Sequence, residues 1–171
     1  MQDQTIITRI RDARPTDASA LAKLIAIAGA GIPEWLWTGM AEPGETPLDV
    51  GTRRAMRDTG GFSWRNAIVA EADGKVVGMI LGYPLEPDDT DLATLDPLLR
   101  PFLELERSAP GSWYINAFAL FEDWRGRGIG TQLLAAAMHR AHTDHCSTMS
   151  VQTFSATPRA GAFYARHGFA V

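Results

Sequence analysis

The segment WRGRGIG, residues 124–130, constrains the fold of this chain more than any other stretch. It follows the apolar run SWYINAFALF and precedes an alanine-rich segment whose apolar residues recur at helical spacing over residues 128 to about 142. The order strand, glycine-rich loop, helix places the glycines at a helix N-terminus, where backbone N–H groups lack partners and the helix dipole is positive. The sequence therefore predicts a phosphate-binding site at the start of this helix, with Arg125 and Arg127 adding positive charge.

The spacing of the glycines argues against two common phosphate-binding motifs. A nucleotide P-loop needs Lys and then Ser or Thr after its last glycine, whereas Thr131 and Gln132 follow Gly130 here. A dinucleotide fingerprint reads G-x-G-x-x-G, whereas this loop reads G-x-G-x-G and only 41 residues follow it. A tight turn that only lets helix and strand pack closely remains an alternative at this point.

The rest of the chain alternates strand and helix patterns, which predicts one α/β domain over residues 1–171. Residues 84–111 are acidic and contain prolines, so we interpret them as an insertion before the central strand. The predicted strands are 5–11, the hairpin strands from 67 and over 75–83 around an Asp73-Gly74 turn, 112–121 and 147–154. The predicted helices are 18–28, one or two short helices between 32 and 65, about 95–107, 128 to about 142, and 157–168.

Composition excludes several functional classes. The net charge of −4, from 20 acidic and 16 basic residues, argues against nucleic-acid binding. No apolar run approaches the length of about 20 residues that spans a bilayer, so no membrane partner is expected. The lone Cys146 and the absence of a secretory h-region near the N-terminus favour the cytoplasm. Three histidines precede Cys146, but on a helix they would fan over a broad arc, so no metal site is predicted.

The segment FALFEDWRGRGIGTQLL resembles the acetyl-CoA signature of the GCN5-related N-acetyltransferase (GNAT) superfamily. In that pattern Arg or Gln is followed by two residues, Gly, one residue and Gly or Ala, and Arg125, Gly128 and Gly130 match it. The late AFYARHGF resembles the closing helix motif of the family, and the resemblance extends over nearly the whole chain. It implies an α/β fold in which a mixed, twisted sheet is flanked by helices on both faces and opens in a V-shaped gap between its central strands. Family members usually continue beyond this motif, so we expect that the C-terminus is shortened.

The resemblance implies direct acetyl transfer from acetyl-CoA to a primary amine, with no metal and no covalent acyl-enzyme. Backbone groups of the central strand would bind the pantetheine arm, and loop amides would bind the pyrophosphate. Thr157 stands where the family often has Asn. The implied cofactor-binding residues are Phe118, Ala119, Leu120, Arg125, Gly126, Arg127, Gly128, Ile129, Gly130, Thr131 and Thr157.

The resemblance also assigns chemical roles. Tyr164 matches the general acid of the family, and a phenol stays protonated at neutral pH. Tyr114 and Asn116 occupy the inward strand positions where some relatives carry a base, and Glu122 lies at the strand end. None of these is a strong base, so deprotonation of the amine through a water relay, or binding of an already neutral amine, stays open. Glu104 and Glu106 of the insertion are expected to be solvated.

The acceptor is predicted to be a small-molecule amine, bound in a pocket of aromatic residues with one acidic partner. The same tryptophans are equally expected to form a core or a dimer contact, so a homodimer is possible. A peptide or protein N-acetyltransferase, a non-catalytic acyl-CoA sensor and a scaffold are the alternative functions. The candidate acceptor residues are Glu34, Trp35, Trp37, Trp64 and Trp113, with Phe62 and Tyr114 beside them.

Overall fold

A computed structural model describes residues 7–170 and contains a five-stranded sheet. The strands lie side by side in chain order, antiparallel from the first to the fourth, and the fourth and fifth are parallel. The predicted mixed sheet is therefore confirmed. The strands are β1 (Arg9–Asp12), β2 (Ala67–Ala72), β3 (Lys75–Pro84), β4 (Trp113–Leu120) and β5 (Met149–Val151).

Helices cover both faces of the sheet, as the sequence predicted. Helices α1 and α3 pack together on one face, where α1 also contacts β4, and α5 packs on the other face against β1 to β4. Short 3₁₀ turns, among them Glu122–Trp124, join these elements. The helices are α1 (Ala18–Ala28), α2 (Ile32–Thr38), α3 (Pro47–Ala55), α4 (Arg100–Arg107), α5 (Ile129–Thr143) and α6 (Pro158–Arg166).

The two faces of the sheet bury separate hydrophobic clusters. Because side chains alternate along a strand, Val69 of β2 joins the cluster on the α1 face while Ile68 joins the cluster on the α5 face. The same cluster on the α5 face contains Leu133 and Leu134, which form the apolar stripe that the sequence predicted. A strand that is apolar on both faces is typical of a sheet covered on both sides.

Strands β4 and β5 pair over only three residues. The paired positions run from Trp113 with Met149 to Ile115 with Val151. Within the described part of the chain, β4 then continues to Leu120 with β3 on one side and no strand on the other. The sheet therefore opens along the second half of β4, which is the predicted V-shaped gap.

A β-bulge in β4 lies where this gap begins. Leu81 and Gly82 of β3 are consecutive, but they pair with Ala117 and Ile115, so Asn116 is the extra residue. The bulge shifts the alternation of side chains by one position. As a result both Tyr114 and Ala117 face the α1 side, whereas Trp113 and Ile115 join the cluster on the α5 side.

Some element boundaries differ from those predicted. Strand β1 begins at Arg9, and residues 5 and 6 of the predicted strand lie outside the described residues. Helix α4 begins at Arg100 rather than near residue 95, because Pro101 in its first turn favours a helix start at that point. Strand β5 is shorter than expected, since Gln152 and Phe154 contact α4 instead.

Over residues 7–170, none of the helices is by itself long and apolar enough to cross a bilayer. One pair passes that test together, Pro15–Ala28 with Ile32–Thr38, and it is bent by 117°.

Candidate functional site

The glycine-rich loop has the backbone conformation that an anion site requires. Gly126 and Gly128 adopt left-handed φ angles of 73° and 77°, and Gly128 is the N-cap of α5. Side chains rarely tolerate such angles, so glycine is needed at both positions. The first amides of α5, starting at Ile129, have no partners within the helix and face the end of the loop.

A cavity of about 330 Å³, here called the loop cavity, lies at this helix start. Six of the predicted cofactor residues line it, together with four that the sequence analysis did not assign. Among the additional residues, the imidazole of His167 is held by contacts with Thr131 Oγ1 at 3.3 Å and with the Phe163 carbonyl at 2.8 Å. The lining residues are Leu120, Trp124, Arg125, Gly126, Gly128, Gly130, Thr131, Phe163, Arg166 and His167.

His167 and Arg166 were missed as site residues because their position in sequence indicates only the end of α6. In the sequence, His167 precedes Gly168 at the end of a predicted helix, which indicates a cation at a helix C-terminus, a role that uses no cavity. The structure brings the end of α6 beside the start of α5, so this helix end contributes a guanidinium and an imidazole to the loop cavity. The spacing of residues in the sequence does not predict that the end of α6 lies beside the start of α5.

Five of the predicted cofactor residues do not line the loop cavity. Ile129 is buried in the core, and Arg127 lies over the Trp124 ring at 5.2 Å. Thr157 is exposed and donates a hydrogen bond to the Phe154 carbonyl, so its hydroxyl makes no capping hydrogen bond to α6. Phe118 and Ala119 pack their side chains into opposite cores, and only their backbone groups remain available for the predicted role.

A second cavity, of about 420 Å³, lies on the α1 face of the sheet and is here called the large cavity. Helices α1 and α2 form apolar walls around it, α4 contributes apolar side chains and Glu106, and β4 and residues 152–155 contribute the other polar groups. It is lined by Ile25, Ala28, Gly29, Ile32, Pro33, Leu36, Phe62, Leu99, Pro101, Phe102, Leu105, Glu106, Tyr114, Asn116, Ala117, Gln152, Thr153, Phe154 and Ser155.

Tyr83, Glu106, Tyr114 and Asn116 form a polar cluster at this cavity. Asn116 Nδ2 donates a hydrogen bond of 2.7 Å to Tyr83 Oη, which fixes the amide at the bulge. The rings of Tyr83 and Tyr114 meet edge to face with their centroids 6.0 Å apart. Because Asn116 has no ionisable group and its amide is committed to Tyr83, it cannot itself act as a base.

The prediction that Glu106 is a solvated carboxylate is wrong. Glu106 is half-buried in the wall of the large cavity, and burial raises its pKa above the ordinary value, against a smaller opposing effect of the Tyr114 hydroxyl. Burial also raises the pKa of Tyr114, and the negative charge of Glu106 raises it further. Tyr114 is therefore a neutral phenol and not a base at physiological pH.

Two of the predicted pocket residues, Phe62 and Tyr114, line the large cavity, whereas the five predicted acceptor residues Glu34, Trp35, Trp37, Trp64 and Trp113 do not. Trp37 is 1% exposed and packs against Gly51 and edge to face on Phe62, and Trp113 is fully buried, with Nε1 donating to Asp144 Oδ2 at 2.9 Å. These two tryptophans belong to the core, which corrects their assignment to a pocket. Trp64 is half-buried with Arg65 over its ring, and Glu34 and Trp35 lie on α2 outside the cavity lining.

Tyr164, the predicted general acid, is 7% exposed on α6 and lies among aromatic rings. Its ring centroid is 5.5 Å from that of Phe163 and 5.2 Å from that of Phe169. Burial raises its pKa, so the hydroxyl keeps its proton well above neutral pH. Tyr164 belongs to the cluster on the α5 side of the sheet, whereas Tyr114 faces the α1 side, and the two are near enough for Tyr164 to raise the pKa of Tyr114 slightly. The side chain of Tyr164 lines neither cavity.

Glu122, the third candidate for a base, is exposed in the 3₁₀ turn after β4 and lines neither cavity. In the part of the chain that the structure describes, no three His, Cys, Asp or Glu side chains come together in a way that could hold a metal ion.

The fold and the glycine loop define a family, and a comparison with known proteins supports it. Residues 31–169 match the model of the acetyltransferase (GNAT) family. The chain therefore belongs to this family.

Individual relatives agree with this assignment. A curated protein of Pseudomonas aeruginosa, L-methionine sulfoximine/L-methionine sulfone acetyltransferase, is 28% identical over 127 residues, which is 74% of this chain and 63% of the relative. The chain thus spans less than two thirds of that relative. A crystal structure described as an acetyltransferase has a TM-score of 0.68 at 24% identity, with 95% of this chain and 89% of that chain covered. The aminoglycoside N-acetyltransferase AAC(6')-Iy in complex with CoA has a TM-score of 0.65 at 15% identity, with 100% and 93% covered.

Proposed function

We propose that this protein is an acetyl-CoA-dependent N-acetyltransferase that acetylates a primary amine of a small molecule. The observation that carries the proposal is the position of the two cavities along β4. Leu120 lines the loop cavity and Ala117 lines the large cavity. Three residues of a strand span about 10 Å, so an anion-binding end and an apolar end lie beside one open strand.

The residues of the loop cavity fit the pyrophosphate of acetyl-CoA. Two left-handed glycines and the free amides of α5 provide N–H donors, and Arg125 and Arg166 bring positive charge. Among residues 7–170, no strand pairs with the edge of β4 away from β3 over its second half, and backbone groups on that edge suit the amide-bearing arm of CoA. When bound, acetyl-CoA supplies an acetyl group already activated as a thioester.

The chain itself would orient the reactants and move protons. Backbone N–H groups beside the Asn116 bulge are preorganised donors for a carbonyl oxygen that becomes more negative during transfer. Tyr164 is buried and protonated, and its hydroxyl can donate a proton to a departing thiolate. The large cavity would hold the amine beside these groups, which lowers the entropic cost of bringing two reactants together.

Two observations favour a small acceptor over a peptide or a protein. Helices α1, α2 and α4 contribute walls of the large cavity, whose volume of about 420 Å³ is in the range of small-molecule sites. The Pseudomonas aeruginosa relative is also named for small-molecule acceptors. The cytoplasmic location and the homodimer remain predictions from the sequence.

Thiol release tests the proposal directly. We expect the purified protein to release thiol from acetyl-CoA only when an amine is present. The assay uses a panel of small primary amines, with peptides that carry a free N-terminal amine for comparison. Absence of amine-dependent release, in protein that still binds CoA, would contradict catalysis and favour the acyl-CoA sensor.

The Tyr164→Phe variant tests the acid. It removes one hydroxyl and preserves the ring packing, so we expect kcat to fall about 100-fold, as for the loss of a general acid, while the affinity for CoA is unchanged. Full activity of the variant would remove Tyr164 from the mechanism without affecting the proposed function.

A further inference from the structure

The large cavity contains one charged side chain among the residues that line it, and this residue is Glu106. Most of the others are apolar, including Ile25, Leu36 and Leu105, and the remaining polar ones are neutral hydroxyls and amides. No arginine, lysine or histidine is among them. The cavity therefore presents a single acidic group in largely apolar surroundings.

The basic residues of the same helix are engaged elsewhere. Arg107 Nη2 lies 3.6 Å from Asp88 Oδ1 and also donates to the Thr90 carbonyl. Arg100 donates to the carbonyls of Leu95 and Ala93 at the other end of α4. Neither guanidinium lines the cavity, so neither compensates Glu106 or offers a partner to an anion bound there.

Helix α4 is fixed against the end of β5, which sets the position of Glu106. Gln152 Nε2 donates a hydrogen bond of 2.8 Å to the Phe102 carbonyl. The rings of Phe102 and Phe154 meet edge to face with centroids 6.0 Å apart. The insertion between β3 and β4 thus has a structural consequence, because it brings a carboxylate to a cavity whose other walls carry no charge.

We propose that the acceptor is an apolar primary amine with a single positive charge and no carboxylate, and that Glu106 receives its ammonium group. This inference rests on the proposed function. An amino acid would bury its carboxylate without a cationic partner, and a polyamine would bury further ammonium groups without an anionic one, and both carry a large desolvation cost. The inferred acceptor therefore differs from L-methionine sulfone, an amino acid, and from the aminoglycosides of the structural neighbour.

Matched pairs of acceptors test this selectivity. In two pairs the partners differ mainly in the carboxylate: 2-phenylethylamine with L-phenylalanine, and 3-(methylthio)propylamine with L-methionine. A third pair, hexylamine with 1,6-diaminohexane, differs in a second ammonium group. We expect each apolar monoamine to exceed its partner about 10- to 100-fold, both in kcat/KM for thiol release and in affinity for the CoA-saturated protein.

Two variants of α4 separate the role of Glu106 from general effects. In Glu106→Gln the KM for the monoamines should rise about 10- to 100-fold, since a charge-assisted bond is lost, with a smaller change in kcat. The advantage over the amino acids should shrink in this variant. Glu104→Gln, an exposed residue two positions earlier on the same helix, should behave like the wild type.

The outcomes distinguish this inference from the proposed function. Failure to bind acetyl-CoA would overturn the proposed function. If acetyl-CoA binds but the amino acids or the diamine bind as well as the monoamines, the acceptor inference alone is overturned. The same holds if no member of any pair binds, or if Glu106→Gln leaves KM unchanged.

Discussion

Burial governs the behaviour of Glu106. The carboxyl group is half-buried beside Tyr114, with Tyr83 and Asp88 near enough to interact with it. Burial and the charge of Asp88 raise its pKa, and the Tyr114 hydroxyl lowers it by less. The folded protein therefore disfavours the ionised form that would attract an ammonium group, which is a cost that a bound cation removes.

This shift predicts a pH-dependent effect of Glu106→Gln on stability. Between the ordinary pKa and the raised one, the folded state holds a proton that the unfolded chain has lost, so the free energy of unfolding falls as the pH rises through this range. Glutamine cannot ionise and escapes this loss. In the absence of ligand we expect Glu106→Gln to have a higher Tm than the wild type at pH 8, with the difference shrinking towards pH 4.

Thermal unfolding at the two pH values measures this, with Glu104→Gln as the exposed control. A Glu106→Gln protein that is less stable than the wild type at pH 8 would show that contacts of the carboxylate outweigh its burial.

At the residue scale, the sequence predicted the loop better than the acceptor side. The sequence could place Gly128 and Arg125 at the loop before α5, because this position depends on spacing within one short segment. Glu106 was not, because the face that α4 presents depends on where the helix starts and on its contacts with Phe154. Trp113 was assigned to a pocket by its residue type, but alternation along β4 places its side chain opposite that of Tyr114, towards α5.

At the scale of elements, the junction between β4 and α5 combines the sheet opening with the glycine loop. The bulge begins the sheet opening, the 3₁₀ turn Glu122–Trp124 ends the strand, and Gly128 starts the helix. Each feature is local, but together they place an open strand next to a helix N-terminus. The strand and helix periodicities predicted this order, whereas the shortness of β5 depended on contacts between distant segments.

The same substitution at two helix positions should have opposite effects on stability. Gly128→Ala forces a side chain into a left-handed conformation and should lower the free energy of unfolding by about 1–2 kcal/mol. Gly161 lies within α6 with open space around it, and Gly161→Ala should raise that free energy by about 0.4–1 kcal/mol.

Urea unfolding of the two variants beside the wild type measures both values. Equal effects of the two substitutions would contradict the left-handed geometry at Gly128.

At the scale of the whole molecule, the sheet separates two cores and opens at one place. The large cavity lies beside the cluster on the α1 face, and the loop cavity lies beside the start of α5 and the end of α6. The general fold followed from the periodicities and the glycine loop, since these are set by local sequence. That residues 1–171 form a single domain stays a prediction.

The central claim is that the loop cavity holds the CoA moiety of acetyl-CoA, and isothermal titration with CoA tests it most directly. Gly128→Trp would place a bulky side chain at the cavity, whereas Gly44→Trp adds the same side chain at another left-handed glycine that lines neither cavity. We expect the wild type and Gly44→Trp to bind CoA with similar affinity and Gly128→Trp, folded by circular dichroism, to show no binding. Equal binding by folded Gly128→Trp, or no binding by the wild type, would contradict the account.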